Sequence, residues 1–279
     1  MKLRIIFNAS KEEKFSIPEI DPYDFIVDLL NELHFELNKP VIHTVNKNPG
    51  DFNIEDEDNN NKIEEQIDET NEMSVISATI KKFSEKFRSK ISDLFYYIIK
   101  TTYYCPECQT ILKYYSNIYC LIGLNPNRAS IYFNKKDLNI NDLFKHYIKK
   151  RLFPDQNINC PKCGKIQKNV NRTSIFYTSP INLILEILNK NENQINLTIN
   201  ECINIGEFVQ RTDVSNVNYH LIGAIFIEQN EQDGKKYVSI TRKENNDGWY
   251  FYNGNSIQDC TFNDIINHKN PYLLFYSNQ

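Results

Sequence analysis

Two cysteine pairs are the residues of this sequence whose types and spacing most directly suggest chemistry. Cys105 and Cys108 form one Cys-x-x-Cys, Cys160 and Cys163 form another, and a proline follows the first cysteine of each pair. Such a turn places two thiolates on one side of a metal ion, and two turns supply the four tetrahedral sulfurs that Zn²⁺ takes in closed sites. We therefore expect one structural zinc ion, since a redox role would explain one pair but not two.

The remaining cysteines and the histidines give weaker signals. Cys120, Cys202 and Cys260 lie in strand-like or loop-like sequence, and we predict that they are small core residues. No histidine has a cysteine that the sequence places nearby, so no thiol–imidazole pair is expected. The histidines are His34, His43, His146, His220 and His268.

Composition favours a folded protein of a reducing compartment. The chain has 279 residues, of which 41% are hydrophobic, enough for a sizeable core. It contains no apolar run of about 18 residues and no apolar N-terminus long enough for a secretion signal. Seven cysteines, four of them in metal-type pairs, do not suggest a disulfide framework. We expect a cytoplasmic or nuclear protein, with neither a membrane nor a nucleic acid as partner.

The formal net charge of −4 is unevenly distributed. Residues 51–72 hold ten acids and one lysine, and the stretch also contains three consecutive asparagines. With few apolar residues, this stretch cannot bury enough surface to offset the entropy of ordering. We predict a disordered acidic insertion over residues 44–73. An acidic interaction segment is the alternative interpretation.

Two helices are predicted in the first third of the chain. Asp21 followed by Pro22 has the form of an N-cap with proline at the first helical position, and apolar residues recur at helical spacing up to Leu37. This helix should end before Pro40. A second periodic pattern predicts a helix over residues 75–95, immediately before the first cysteine pair.

The rest of the chain is mostly strand-like. A short helix over residues 140–147 is expected between the cysteine pairs, where the 51 intervening residues exceed the gap of a compact zinc ribbon. Runs of alternating or β-branched residues predict strands at residues 111–115, 118–124, 174–177, 182–187, 195–199, 219–228, 236–242, 249–253 and 272–276.

The order of these landmarks resembles that of the ubiquitin-specific proteases. Seven segments carry the resemblance, with the cysteine pairs between them. Residues 21–30 are similar to the family's Gln-Asp-Ala-x-Glu-Phe helix, and residues 91–95 precede the first pair as in the family. Residues 178–187 match its Leu-Pro-x-x-Leu-x-Ile strand, and the closing boxes lie at residues 219–225, 234–239, 247–253 and 271–276.

The resemblance implies an α+β, papain-like right-hand fold across residues 1–279. Its parts would be partial Thumb helices at 17–40 and 74–100, zinc-binding Fingers at 101–170 and a β-rich Palm at 171–279. The zinc-bearing Fingers of the family explain the long gap between the cysteine pairs. The family nucleophile belongs upstream of the Asp21 helix, whereas the first cysteine of this chain is Cys105.

The resemblance also locates the degenerate catalytic positions. Lys236 stands where the family has its histidine, and lysine amines keep their proton near neutral pH unless strongly desolvated. Asn253 occupies the orienting position, without a histidine to orient. We expect an inactive pseudo-deubiquitinase that binds ubiquitin or acts as a scaffold. A fragment of an active thiol-dependent deubiquitinase, whose cysteine box lies outside this chain, is the alternative.

The resemblance implies two protein contacts. Asp21 aligns with the family aspartate that accepts hydrogen bonds from the tail of ubiquitin, although a helix N-cap alone would also explain an aspartate there. Ubiquitin or a ubiquitinated protein is therefore one expected partner. A second protein is expected to cover apolar residues of helix 25–37, where the family has further Thumb structure.

Overall fold

The computed structural model describes residues 21–38, 67–86, 88–149, 151–154, 156–188, 195–210, 217–230, 234–244, 248–266 and 270–279. The helices are α1 Pro22–Leu37, α2 Glu72–Lys86, α3 Lys90–Phe95, α4 Pro126–Phe133, α5 Ile140–Ile148 and α6 Phe262–Ile266. The strands before the second cysteine pair are β1 Tyr97–Tyr104, β2 Ile111–Tyr119, β3 Ile122–Leu124, β4 Asp137–Asn139, β5 Arg151–Phe153 and β6 Ile158–Asn159. Those after it are β7 Ile166–Gln167, β8 Val170–Phe176, β9 Asn182–Ile187, β10 Asn196–Thr198, β11 Cys202–Asn204, β12 Asn218–Asn230, β13 Gly234–Arg242, β14 Trp249–Asn253, β15 Ser256–Cys260 and β16 Pro271–Ser277. The predicted α+β class is confirmed.

An eight-stranded sheet forms the larger part of the fold. Its order is β15-β14-β13-β12-β16-β9-β3, and β11 pairs with the start of β12. Alternation along β12 buries Tyr219 and Leu221 completely and leaves His220 exposed, as expected for a sheet with one face on the core. The tyrosine hydroxyl of Tyr219 donates to the Pro180 carbonyl, which ties β12 to the start of β9.

Helix α5 covers the core face of this sheet. Ile140, Leu143 and Phe144 are at most 1% exposed, and the Phe144 ring stacks on Phe208 with centroids 5.3 Å apart. A capping box between Asn139 and Asp142 begins the helix. The packing explains why so short a helix is stable here, since burial of its apolar face compensates for few internal hydrogen bonds.

A four-stranded sheet extends from this core toward the cysteine pairs. Its order is β2-β1-β8-β5, and β1 contributes to both ends: Tyr97 lies in the main core, whereas Tyr103 packs beside Cys105 and Cys160. The two cysteine pairs follow β1 and precede β8, which are antiparallel neighbours. That pairing brings the distant pairs to the same end of the sheet.

One segment within the predicted Fingers, residues 101–170, packs away from the cysteine pairs. Residues 122–148 do not stay with the cysteine pairs but return to the large sheet, where β3 pairs with β9 and α5 enters the core. Helix α4, which was not predicted, lies in the same segment. The hydrophobic effect explains this placement, because the segment carries some of the most buried apolar side chains of the protein.

Two boundaries near the N-terminus also differ from prediction. The expected helix 75–95 is two helices, because Ser89 ends the run and caps α3 through reciprocal bonds with Ser92. Residues 44–66 of the predicted insertion 44–73 lie outside the described residues. Its last part is a turn and the start of α2, where the Glu69 carbonyl accepts from the Tyr114 amide at 2.7 Å and Glu72 pairs with Lys100 at 3.1 Å.

Helix α1 begins and ends as predicted, with Asp21 as N-cap and Asn38 as C-cap. It packs on α3 and on the end of β9 through Leu30, Ile91 and Ile184. Within the described ranges, no helix is long and apolar enough to cross a membrane.

Candidate functional site

The four cysteines of the two pairs converge at the end of the four-stranded sheet. All four sulfurs lie within 4.8 Å of one another; Cys105 Sγ is 3.9 Å from Cys163 Sγ, and Cys108 Sγ is 3.6 Å from Cys160 Sγ. Cys105 and Cys160 are fully buried, and the other two are half-buried. Four thiols at these separations, all free of disulfides, match the donor set of a tetrahedral metal site.

The two turns that carry the cysteines have equivalent backbones. In the first, the Gln109 amide donates to the Cys105 carbonyl at 3.0 Å, and Gln109 has φ of 60°. In the second, the Gly164 amide donates to the Cys160 carbonyl at 2.9 Å, and Gly164 has φ of 67°. A left-handed residue at this place turns the chain back after the second sulfur. The repeated geometry shows that each turn is built to present two sulfurs to a common centre.

The electrostatics of the cluster favour a cation. A hydrogen bond with Thr110 lowers the pKa of Cys108 to about 6, which favours one thiolate. Hydrogen bonding with Cys108 raises the pKa of Cys163 to about 12, so a further thiolate is disfavoured among the thiols alone. A divalent cation would remove that penalty by neutralising the sulfurs. The residues therefore fit a metal ion.

A second cluster surrounds Asp21 at the N-terminus of α1. One carboxylate oxygen accepts from the Tyr23 amide at 2.8 Å and from the Tyr272 hydroxyl at 2.5 Å, and the other accepts from the Tyr237 hydroxyl at 3.0 Å. Asp21 is thus the predicted N-cap and also joins the helix to β13 and β16. Asp21 as a whole is half-buried.

Burial and negative charge raise the pKa values of groups near Asp21. Burial, together with the hydrogen bond to Asp21, raises the pKa of Tyr237 to about 12, so this hydroxyl stays a donor at neutral pH. Burial first, and then the charges of Asp21 and Asp24, raise the pKa of Glu186 on β9. The cluster is therefore acidic and presents oxygen acceptors, a chemistry that suits a ligand with amide or ammonium donors.

The two positions expected to be degenerate lie on neighbouring strands beside this cluster. Lys236 precedes Tyr237 on β13, has an exposed side chain and is opposite Glu228 in the strand register. Asn253 is the last residue of β14, is half-buried and leads into the turn at Gly254, where φ is 59°. A cation and an amide at these places supply no imidazole for proton transfer.

Two of the histidines have structural environments. His34 is 2% exposed, its Nδ1 lies 2.6 Å from Ser89 Oγ, and its ring stacks on Tyr96. His146 is buried on α5, and burial lowers the pKa of both rings. His43 and His268 lie outside the described residues.

The prediction for the remaining cysteines and for His220 is partly wrong. Cys120 and Cys260 are half-buried and pack against apolar clusters, as expected. Cys202 is exposed, and its Sγ lies 3.0 Å from His220 Nδ1 on the adjacent strand. Sequence reasoning missed this pair because the two residues are 18 positions apart and meet only through the pairing of β11 with β12.

Three solved structures to which this chain is similar come from one kind of assembly. The SAGA DUB module of Ubp8, Sgf11, Sus1 and Sgf73 bound to monoubiquitin matches with 17% identity and a TM-score of 0.57, over 74% of this chain and 46% of that chain. A Ubp8 module with a shortened Sgf11 matches with 16% identity and a TM-score of 0.62, over 94% and 51%. A yeast SAGA DUB module with mutant Sgf73 matches with 18% identity and a TM-score of 0.55, over 73% and 44%. The chain thus spans about half the length of the chains it matches.

These likenesses establish the right-hand fold of the ubiquitin-specific proteases, which the resemblance predicted. No curated protein sequence matches the chain significantly. The family model described as ubiquitin carboxyl-terminal hydrolase matches residues 2–276, almost the whole chain. The chain is therefore a member of the ubiquitin carboxyl-terminal hydrolase family.

Proposed function

We propose that this chain is a catalytically inactive member of its family, a pseudo-deubiquitinase that acts as a ubiquitin-binding or scaffold subunit in the cytoplasm or nucleus. The observation that carries the proposal is Lys236. The family places its histidine at this point, immediately before the tyrosine that here bonds Asp21, and this chain has an exposed lysine. A protonated amine cannot accept the proton of an attacking thiol.

The cysteines of the chain support the same conclusion. Thiol hydrolysis needs a nucleophilic sulfur within hydrogen-bond reach of a base. Four cysteines are committed to the metal-type cluster, and Cys120 and Cys260 are half-buried with pKa values raised by burial. Cys202 does have an imidazole partner, but it lies at the other end of β12 from the strand position opposite Lys236.

We propose that the recognition of ubiquitin is retained at Asp21. The carboxylate is held in place by the N-cap bond and by two tyrosine hydroxyls, and these three bonds leave one of its roughly four lone-pair positions for a further donor. An extended peptide tail supplies backbone amides of that kind. One of the matched structures is described as bound to monoubiquitin, which makes ubiquitin the first ligand to test.

We also propose that Cys105, Cys108, Cys160 and Cys163 bind one structural Zn²⁺. The ion would supply charge neutralisation and a covalent-like link between the two turns, and no position would remain for water. The cluster packs on Tyr103, Leu112 and Val170, so it would serve as the core of the outer end of the sheet.

A protein partner on α1 is proposed from its exposed apolar side chains. Phe25, Phe35 and Leu37 are 41%, 64% and 46% exposed, although each is a large apolar residue. The matched structures are multi-subunit assemblies. Replacing Phe35 with serine is expected to weaken co-purification with that partner without changing the melting temperature, whereas equal co-purification of both forms would argue against this surface.

A second candidate function is that of a segment of an active thiol-dependent deubiquitinase. The observation that favours it is coverage, since the chain spans 44–51% of the matched structures. A nucleophile contributed from outside the chain would still face Lys236 instead of a histidine.

A ubiquitin probe with a thiol-reactive C-terminus tests the proposed inactivity of this chain. The chain is expected to remain unlabelled, and restoring histidine with Lys236→His is expected not to rescue labelling in the absence of a nucleophile. Covalent labelling that a single cysteine-to-serine change removes would overturn the proposed inactivity. The variants to compare are Cys120→Ser and Cys260→Ser.

Titration with free ubiquitin tests the binding separately from the chemistry. We expect saturable binding that Asp21→Ala weakens at least about tenfold, the loss of about 1.4 kcal/mol. Glu36→Ala is the matched control, because it removes an exposed carboxylate from the opposite end of the same helix. Absence of saturable binding below millimolar ubiquitin would reduce the chain to a ubiquitin-independent scaffold.

Metal content tests the zinc proposal. Mass spectrometry of the native protein is expected to show one zinc per chain, and Cys108→Ser is expected to lower that content while Cys260→Ser leaves it unchanged. A native protein with a stoichiometry near zero after purification in zinc-containing buffer would contradict the assignment.

A further inference from the structure

Cys202 and His220 form a thiol–imidazole pair at a place that the proposed function does not use. The two residues are directly opposite each other in the antiparallel pairing of β11 with β12, and Cys202 Sγ lies 3.0 Å from His220 Nδ1. Both side chains are exposed. A small molecule can therefore approach the sulfur while the imidazole is within hydrogen-bond distance of it.

The sheet itself holds this arrangement in place. On β11, Ile203 is 3% exposed, and on β12 both Tyr219 and Leu221 are fully buried, so alternation directs Cys202 and His220 to the outer face. The Leu221 amide donates to the Glu201 carbonyl at 2.8 Å, which extends the backbone pairing beside the pair. Directly opposite residues of an antiparallel pair keep their side chains adjacent, so the contact does not depend on a flexible loop.

The site is remote from the degenerate catalytic positions. Eight residues of β12 separate His220 from Glu228, the residue that faces Lys236, and at about 3.3 Å per residue this is roughly 26 Å. The proposed ubiquitin-tail site at Asp21 and the Cys202–His220 pair are therefore separate sites.

We propose that Cys202 is a reactive thiol that undergoes exchange with low-molecular-weight disulfides, with His220 as its base. His220 accepts the thiol proton, and the Cys202 thiolate attacks one sulfur of the disulfide. A new S–S bond forms as the old one breaks, and the departing thiolate takes a proton from His220. Cys202 is oxidised to a mixed disulfide, and the other half of the reagent is reduced to a thiol.

The charged groups nearest to Cys202 and His220 are paired with each other. The Glu201 carboxylate, next to Cys202 in sequence, pairs with Arg242 at 3.4 Å, and that guanidinium lies over the Trp249 ring. Ser277 is opposite His220 on β16 and is uncharged. Among the groups of β11, β12, β13 and β16 named here, the His220 imidazole is the one within hydrogen-bond distance of the Cys202 sulfur.

The other cysteines serve as internal references. Burial raises the pKa of Cys120 and of Cys260, so less thiolate forms at either sulfur, and Cys260 also has Asp259 and Asp264 nearby. Neither β12 nor β16 contains a cysteine that could attack the mixed disulfide. The adduct at Cys202 is therefore expected to persist until an external thiol removes it.

The test uses the full chain, loaded with zinc, and oxidised glutathione as the probe. Peptide mass mapping over time gives the rate of adduct formation at each cysteine. At neutral pH, Cys202 is expected to react at least about tenfold faster than Cys260, because Cys202 is exposed beside a base whereas burial raises the pKa of Cys260. Cys202→Ser should remove the principal adduct.

A base variant tests the role of His220. His220→Gln is expected to slow the Cys202 adduct about tenfold near pH 7 and to make its rate rise with pH as for an ordinary thiol. Ile222→Ala is the matched control, since it changes an exposed residue of the same strand and should leave the rate unchanged. Circular dichroism checks that each variant is folded, with His220→Asn as the replacement if His220→Gln is not.

Two results would overturn the proposal. One is a Cys202 rate no greater than that of Cys260 in the native protein. The other is a folded His220 variant whose Cys202 rate stays within about twofold of the native rate and keeps the same pH profile, because a merely structural histidine would give that outcome.

Discussion

Replacing Asp21 with alanine should destabilise the protein far more than the loss of an ordinary helix cap. The change removes the N-cap bond to the Tyr23 amide, a contribution of about 1 kcal/mol. It also removes the acceptor of the Tyr237 and Tyr272 hydroxyls, which come from strands more than 200 residues away in sequence. Hydrogen bonds to a charged group contribute about 1.5–3 kcal/mol each.

Because Asp21 is half-buried, water can replace part of each lost hydrogen bond, and the expected loss of stability is smaller than the sum of these contributions. We expect a decrease of about 2–4 kcal/mol in the free energy of unfolding for Asp21→Ala. Asp21→Asn keeps a capping oxygen and should lose about 1–2 kcal/mol. The assay is urea unfolding of the zinc-saturated protein at pH 7, with equal slopes required for the comparison.

A double-mutant cycle isolates the tertiary part of the effect. Tyr272→Phe removes one hydroxyl and leaves the ring, which packs 5.9 Å from that of Tyr237. Asp21→Ala and Tyr272→Phe should show a coupling of about 1–2 kcal/mol. Additive effects, together with an Asp21→Ala cost of only about 1 kcal/mol, would show that Asp21 is no more than an N-cap.

Two further predictions concern charge. Because burial lowers the pKa of His34, the unfolded chain takes up a proton below about pH 6.5 that the folded protein resists, so the free energy of unfolding should fall between about pH 7 and 5. Urea unfolding across that range should show a smaller fall in the free energy of unfolding for His34→Gln than for the native protein. The fall that remains is assigned to His146. An equal dependence on pH in the two proteins would refute the role of His34. The Lys165–Glu107 pair joins the two cysteine turns at 3.1 Å, but its side chains are 65% and 48% exposed, so Lys165→Ala should leave the melting temperature almost unchanged. Thermal unfolding checks this, and a clear drop in the melting temperature would contradict it.

The sequence was most informative where the local chemistry of a few residues determines the structure. Asp21 before Pro22 marks the start of α1 correctly, and the Cys-x-x-Cys turns identify the metal-type cluster because each turn is a local motif. The alternation of β12 also follows from residues adjacent in sequence. These features depend on backbone preferences that residues close together in the sequence determine.

Features that depend on distant partners were missed. Apolar periodicity continues across Ser89, so the break between α2 and α3 is visible only as a Ser–Ser capping box, a weaker signal than a serine with glutamate. The start of α4 did have a local signal, the Asn125 cap before Pro126. The contact of Cys202 with His220 depends on strand register, which no local pattern specifies.

The division of the chain between its two cores has a consequence during synthesis on the ribosome. The four-stranded sheet is complete once Phe176 has emerged, and its cysteine cluster can then close. The apolar face of α5 packs in the core formed with β12 and β16, and β16 ends about one hundred residues later, at Ser277. At about 5–20 residues per second, that face waits on the order of 5–20 seconds for its cover. Chaperones are expected to meet the nascent chain at α5 during this interval, and not at the cysteine turns.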